Sequence, residues 1–244
     1  MGLKGASASF QRLMDHVMRG LKNTQCYIDD VLVHSPDFRI HITHLRECFD
    51  RLRKHKLKLN IAKCQFGTEE VTYLGHVLTP KGVRPSIEKT RAVEKFPAPN
   101  TEKKIREFTG LVNYFRNHVR NFSLLSGHLT KLTRQDNPWK NGDLPPLALK
   151  AFEELKRQLC SAPLLAYPTP NVIYRLAVDA ATGDAENPGG LGAILSQMID
   201  GVERVVAYAS RSLKEFEKNY TPFLLEMAAA TWAIDQNRAN RRSG

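Results

Sequence analysis

Tyr27-Ile28-Asp29-Asp30 decides how the rest of the chain is read. The four residues stand between Cys26 and the apolar run Val31-Leu32-Val33. Two adjacent acids flanked by β-branched residues read as the tight turn of a β-hairpin, with stiff strands holding both carboxylates at the tip. Paired carboxylates on a rigid support are what a divalent metal needs to hold a triphosphate in line with a sugar hydroxyl. An Asp-Asp turn that merely reverses the chain has the same four letters, so the surrounding sequence has to decide.

Working outward, the helical step 10, 13, 14, 17, 18, 21 in Phe10, Leu13, Met14, Val17, Met18 and Leu21 predicts an amphipathic helix before the hairpin. Leu45, Cys48, Phe49 and Leu52 predict a second over about 38–55. Leu57 and Leu59 alternate with lysines, which predicts a short half-buried strand, and Val71 to Leu78 reads as a strand pair around Gly75. Helix, hairpin, helix and strands in that order predict an α+β layer with helices on one face of a sheet. Pro80-Lys81-Gly82 then breaks the pattern, Pro85 is placed to start a helix, and Pro97 and Pro99 end it. Thr101 is placed to cap a helix carrying Ile105, Phe108, Leu111, Val112 and Phe115. Leu125, Leu129 and Leu132 mark another, residues 137–146 read as a linker, and Phe152, Leu155 and Leu159 mark a further helix. A strand ending on Asp179, a Gly/Asn/Pro-rich loop, strands near 191–197 and 202–209, and a helix over about 221–234 complete the pattern. Residues 238–244 read as a polar, basic, disordered tail.

The chain of 244 residues is 42% hydrophobic and 25% charged, ordinary for a globular protein with room for two small domains. Its net charge of +11 is unevenly placed. Residues 81–134 carry 12 Lys/Arg against 4 Asp/Glu, net +8, whereas residues 135–244 carry 12 against 13, net −1. A basic block that concentrated points to a polyanion, most simply a nucleic-acid backbone. The 4 cysteines, at 26, 48, 64 and 160, form no CxxC pair, so neither a zinc ribbon nor a disulfide framework is expected. Cys26, Cys48 and Cys160 fall in apolar patterns and read as small core residues of a reduced, intracellular chain, with cytoplasm and nucleus not distinguished. His41 and His44 share a helix face but have no further ligands to make a metal site. No apolar run approaches the ~20 residues of a membrane span, and Met1-Gly2-Leu3-Lys4 leads into a helical pattern rather than a secretory signal.

Gly2-Leu3-Lys4-Gly5 and Ser9-Phe10-Gln11-Arg12-Leu13-Met14 precede the acids; Leu57-Lys58-Leu59-Asn60, Lys63-Cys64-Gln65-Phe66 and Tyr73-Leu74-Gly75-His76 follow them. In this order and spacing the chain resembles the reverse transcriptases of gypsy-type (metavirus) long-terminal-repeat retrotransposons, over about residues 2–234. The resemblance implies a polymerase palm fragment over 1–80, a helical thumb over 81–134, a linker or connection over 135–170, and a truncated RNase H-like α/β domain over 171–244. It implies that Asp29 and Asp30 bind catalytic Mg2+ (or Mn2+), and that Tyr27 and Ile28 pack near the primer end and incoming nucleotide. By the same resemblance, Gln11 and the Gly2–Gly5 segment shape the nucleotide and template site, Lys63 lies near the triphosphate, and Leu74-Gly75-His76 grips the primer strand. The stretch from Glu107 to Arg116 matches a thumb signature, which makes Lys103, Lys104, Arg106, Arg116 and Arg120 candidates for duplex phosphates. Asp179 and Glu226, with Gly190–Gln197 and Tyr208-Ala209-Ser210-Arg211 between them, resemble the RNase H metal-binding acids. A third palm acid and a later RNase H acid find no match in this sequence, and the loop from Thr182 to Gly189 is longer than usual in the group.

The expected partners are RNA/DNA primer–template, RNA–DNA hybrid and the rest of a polyprotein, with no membrane. The function implied is RNA-directed DNA synthesis with cleavage of RNA in hybrids, as a polyprotein fragment inactive alone. The alternative is a non-catalytic nucleic-acid-binding remnant of a retroelement.

Overall fold

A computed structural model describes residues 5–184 and 189–241, with side chains to 236. Two units divide the chain, Met1–Leu74 and Gly75–Gly244. In the first, α1 (Ala6–Met18) precedes a hairpin of β1 (Thr24–Tyr27) and β2 (Asp30–Val33), followed by α2 (Phe38–Lys54) and the short β3 (Val71–Tyr73). Met14, Val17 and Met18 of α1 and Cys48 and Leu52 of α2 form the buried core, against which Cys26, Val31 and Val33 of the hairpin pack. The period-3.6 stripes of the two helices therefore meet the inward residues of the period-2 strands. Asp37 caps α2 by accepting from the Ile40 N–H at 2.9 Å. His41 and His44 are half-buried, with Nδ1 of each within hydrogen-bond reach of Ser35 Oγ, at 3.3 Å and 2.8 Å. No strand forms at Leu57–Leu59; this stretch runs without a ladder into a 3-10 turn at Ile61–Lys63, and only Leu57 packs on the core. Alternation alone does not make a strand where no neighbour supplies backbone partners.

The second unit opens with β4 (His76–Thr79) and β5 (Gly82–Pro85), an antiparallel hairpin. Pro85 ends a strand rather than starting a helix: α3 (Ile87–Glu94) begins after Ser86, whose Oγ accepts from Lys89 N–H. Gly82 is required, because a Cβ there would clash with the Leu165 carbonyl, which accepts from Val83 N–H at 2.8 Å. α4 (Glu102–Asn113) is capped by Thr101 as expected, and α5 (Phe122–Leu132) follows. The segment between residues 135 and 170 contributes α6 (Pro146–Cys160), whose Phe152, Leu155 and Leu159 are buried with Val93, Ile105, Phe108 and Leu129 in one core. Cys160, expected inside, is exposed at the last turn of α6.

A three-stranded antiparallel meander follows, β6 (Tyr174–Ala181), β7 (Gly190–Ile199) and β8 (Val202–Ser212). β6 runs two residues past Asp179, where the strand was expected to stop. α7 (Pro222–Arg241) packs on this sheet through Leu225 and Ala229, which bury Leu191 together with Val178 and Ala180 of β6. The intervening β6 residues, Arg175, Ala177 and Asp179, are exposed. The helical backbone of α7 continues through 238–241, correcting the expected disordered tail there; residues 242–244 lie outside the described residues. Gln197 is fully buried, and its amide accepts from Thr169 N–H at 2.8 Å and donates to the Thr169 and Val172 carbonyls. The Pro-rich 168–172 stretch is thereby tied to β7. Among the described residues no helix is long and apolar enough to cross a membrane.

Candidate functional site

The Tyr27–Asp30 pair closes the hairpin, which leaves Ile28 and Asp29 as a two-residue turn. Ile28 has φ +56°, a conformation a β-branched residue adopts only under constraint from its surroundings. The constraint is Gln11 on α1. Its Oε1 accepts from Ile28 N–H at 2.5 Å, its Nε2 donates to the Cys26 carbonyl at 3.1 Å, and the same Nε2 is 2.7 Å from Asp15 Oδ1. One side chain thus bridges the helix and both sides of the turn. Asp29 and Asp30 are exposed and line an open groove of about 560 Å³, shared with Lys63, Lys58, His41 and Tyr73. The local field shows on the neighbours. Burial, then the charges of Asp15, Cys48, Asp30 and Asp29, push the Cys26 thiol up to about 11. Burial, with Cys26 and Asp30, also raises the Tyr73 phenol. Both groups stay protonated beside the acids. Tyr27 is exposed at the tip; Gly2, Leu3 and Lys4 lie outside the described residues.

Leu74, the last residue of the first unit, and Gly75, the first of the second, both have positive φ (+48° and +76°), the pattern of a tight turn. His76 lies against Tyr114, Phe115 and His118, with ring centroids 5.3, 5.0 and 5.7 Å away. His118 is buried, and its Nδ1 has no hydrogen-bond partner among the described residues. Burial and then His76 push its imidazole down to about 4, against the raising effect of a hydrogen bond that the ring donates to the Pro163 carbonyl. The basic candidates divide. Lys103 is exposed and Lys104 half-exposed on α4. Arg106 pairs with Glu102 at 3.3 Å and donates to the Thr133 carbonyl. Arg116 donates to the Ser210 carbonyl of β8 at 2.7 Å and lies 5.6 Å over the Phe122 ring. Arg120 is exposed, with its backbone N–H bonded to Gln158 Oε1.

Asp179 and Glu226 come from β6 and α7, two elements that pack on each other, and both are exposed. Asp179 belongs to the β6 set opposite to the one buried under α7. Among the described residues no group of three His, Cys, Asp or Glu side chains is arranged to hold a metal ion.

Residues 1–78 match the reverse transcriptase (RNA-dependent DNA polymerase) family, and residues 146–240 match the RNase H-like domain found in reverse transcriptase. The Pol polyprotein of the Drosophila melanogaster transposon opus is 34% identical over 248 residues, covering 98% of this chain and 24% of the relative. That of transposon gypsy, from the same organism, is 30% identical over 244 residues, 96% of this chain and 23% of the relative. The chain thus carries a reverse transcriptase match followed by an RNase H-like match, and its relatives are Pol polyproteins of retrotransposons that include gypsy.

It spans about a quarter of the length of these curated relatives. The fold likeness extends to foamy viral protease–reverse transcriptase. A form described as complexed with double-stranded DNA has TM-score 0.79 at 21% identity, covering 96% of this chain and 40% of that one. A form complexed with RNA/DNA hybrid has TM-score 0.76 at 21% identity, covering 97% and 31%. Two structural roles escaped the sequence. Gln11 was read as shaping a nucleotide site, and its brace on the Ile28 turn depends on a 17-residue separation that no local pattern reveals. Arg211 forms a bidentate pair with Glu217 at 2.6 Å and lies 5.6 Å over the Trp232 ring, joining β8, the 3-10 turn Glu215–Asn219 and α7. A charged pair six residues apart carries no motif of its own.

Proposed function

We propose that this chain supplies the turn-borne half of a divalent-metal nucleotidyl-transfer site, together with a duplex-binding helical block and part of an RNase H-type hydrolytic site. The Gln11-braced hairpin supports this most directly, since it offers Asp29 and Asp30 side by side to a groove that also holds Lys63. The residues fit a magnesium ion in part. Mg2+ is commonly held by one or two carboxylates, with waters and substrate phosphates completing its octahedron. The ion, when bound, neutralises charge on a triphosphate and lowers the barrier to attack by a hydroxyl. Asp29 and Asp30 hold it, Lys63 faces the triphosphate, and Ile28 and Tyr27 border the primer end. Lys103, Lys104 and Arg120 meet duplex phosphates, while Gly75-His76 presents a rigid aromatic-backed turn to the primer strand. Asp179 and Glu226 contribute to cleavage of RNA in a hybrid. Primer–template, hybrid and the remaining polyprotein are the partners.

The polypeptide by itself binds nucleic acid without extending a primer, because a two-metal centre needs more carboxylate ligands than the two side chains, Asp29 and Asp30, that line this groove. Manganese titration followed by NMR tests the reading. Line broadening is expected to centre on residues 27–31 and to vanish in Asp29→Ala/Asp30→Ala. Broadening spread evenly over surface acids would remove the metal role. Templated incorporation by the chain above its Asp29→Ala control would show that the site is already sufficient.

A further inference from the structure

Residues 16–22 and 51–58 carry 2 and 5 Lys/Arg and no Asp or Glu. They are the two helix ends of the first unit, since α1 closes at Met18 and α2 at Lys54. The fold brings these ends together. Arg51 Nη1 donates to the Val17 and Arg19 carbonyls, at 3.3 Å and 3.1 Å, and the His16 and His55 rings meet edge to face with centroids 5.7 Å apart. Leu21 and Leu57, just past the two ends, pack on the same core. Cations are favoured at a helix C-terminus, where unpaired carbonyls point outward. Arg51 serves that role for α1, and Arg53 pairs with Asp50 at 2.8 Å. Arg19, Lys22, Lys54 and Lys56 are exposed, and among the described residues their side chains make no ion pair or hydrogen bond.

We propose that this end of the first unit is a second nucleic-acid surface, one that takes a phosphodiester backbone outside the Asp29–Asp30 groove. None of Arg19, Lys22, Lys54 and Lys56 lines that groove; Lys58 does, and marks where the two surfaces meet. The neighbouring residues decide the class of partner. A protein interface or a membrane surface needs apolar anchors among its charges. Here no large apolar side chain is exposed: Val17, Met18 and Leu52 are buried, and Leu21 and Leu57 are half-buried against the core. The patch is therefore recognised by its charges and not by an uncovered apolar face. Cations without apolar anchors suit a phosphate backbone, whose binding is driven by counterion release. Without an exposed aromatic side chain the patch has no platform for stacking bases, so it binds without sequence preference. The metal, duplex-block and cleavage readings play no part in it.

Fluorescence anisotropy of the full 244-residue chain with two labelled probes, an oligouridylate and a short DNA duplex, tests this. A Lys103→Ala/Lys104→Ala background weakens the duplex block of the second unit. In that background Lys54→Glu/Lys56→Glu is expected to lower the remaining affinity for one or both probes about tenfold, and to reduce the log–log salt slope by roughly 1–2. Loss confined to the oligouridylate assigns the patch to a single strand; loss on the duplex assigns it to a double strand. The neutral pair Lys54→Gln/Lys56→Gln should give a smaller loss in the same direction, with circular dichroism confirming that every variant is folded. Affinities for both probes that do not move in Lys54→Glu/Lys56→Glu overturn the proposal and leave these cations as solvated helix ends. An equal loss from Lys150→Glu/Lys218→Glu, the same charge change on exposed lysines of the second unit, also overturns it, because net charge alone would then account for binding. The result at Lys103 and Lys104 bears on the duplex block and not on this surface.

Discussion

Ile28 shows how a single residue can carry strain that its neighbours must hold. Its positive φ, of a kind that costs on the order of 1–3 kcal/mol, is opposed by the 2.5 Å bond from its N–H to Gln11. Gln11→Ala leaves that N–H and the Cys26 carbonyl without their partner, and is expected to cost about 1–3 kcal/mol in urea unfolding. Ile28→Gly in the Gln11→Ala background should recover part of the loss, because glycine adopts positive φ freely. His118 sets a pH window of its own. Its imidazole sits near 4 in the folded chain against an ordinary 6.5, so the neutral form is the one that packs. Its contribution is complete above 6.5 and is lost as pH falls from there toward 4. Thermal melts of His118→Gln should show a flatter pH dependence over that interval than the parent. The acids at 29 and 30 were legible from sequence because adjacent charges between β-branched residues are a local pattern. The Gln11 contact was not, because it joins two elements.

At the scale of elements, periodicity located α1, α2, α4, α5 and α6 from their apolar steps, and Thr101 marked the α4 cap. Where one element ends and its partner begins was less legible. Alternation at Leu57–Leu59 suggested a strand that no neighbour completes, and Pro85 suggested a helix start where β5 ends. α6 is legible as a helix, but its burial with α3, α4 and α5 is a property of the packed core, and proline at 138, 145 and 146 reads locally as a linker. The Arg211–Glu217 pair shows the energetic weight of such contacts. The Arg211 hydrogen bonds, with the Lys214 backbone and charge, draw the buried Glu217 carboxyl from 4.5 down to about 2. Its contribution is present above 4.5 and fades as pH falls toward 2. Arg211→Met strands a buried carboxylate and is expected to cost about 3–5 kcal/mol at neutral pH. Arg211→Met/Glu217→Leu should cost much less, and neither variant should keep the parent's loss of stability between pH 4.5 and 2 in acid titrations.

Over the whole molecule, the +8 block of residues 81–134 was the clearest sign of a polyanion partner, and it maps onto β5, α3, α4 and α5. Charge counting did not reveal which cations are spoken for. Arg116 and Arg106 spend hydrogen bonds on backbone carbonyls, whereas Lys103 stands exposed. Duplex affinity should therefore fall steeply with salt. Lys103→Ala/Lys104→Ala should reduce the log–log slope by roughly 1–2. Arg116→Ala should instead lower stability by about 1 kcal/mol, with a smaller change in slope. Equal slope changes for all three positions would mean that the Ser210 contact does not hold Arg116 in solution.

The amide of Gln197 has a practical corollary. The stretch from Pro168 to Val172 reads as a loop open to enzymatic nicking, yet its peptide groups at Thr169 and Val172 are clamped to an interior strand by three bonds from one side chain. A protease must first pull that stretch away from β7, so cleavage there reports breathing of the sheet margin rather than a hinge between domains.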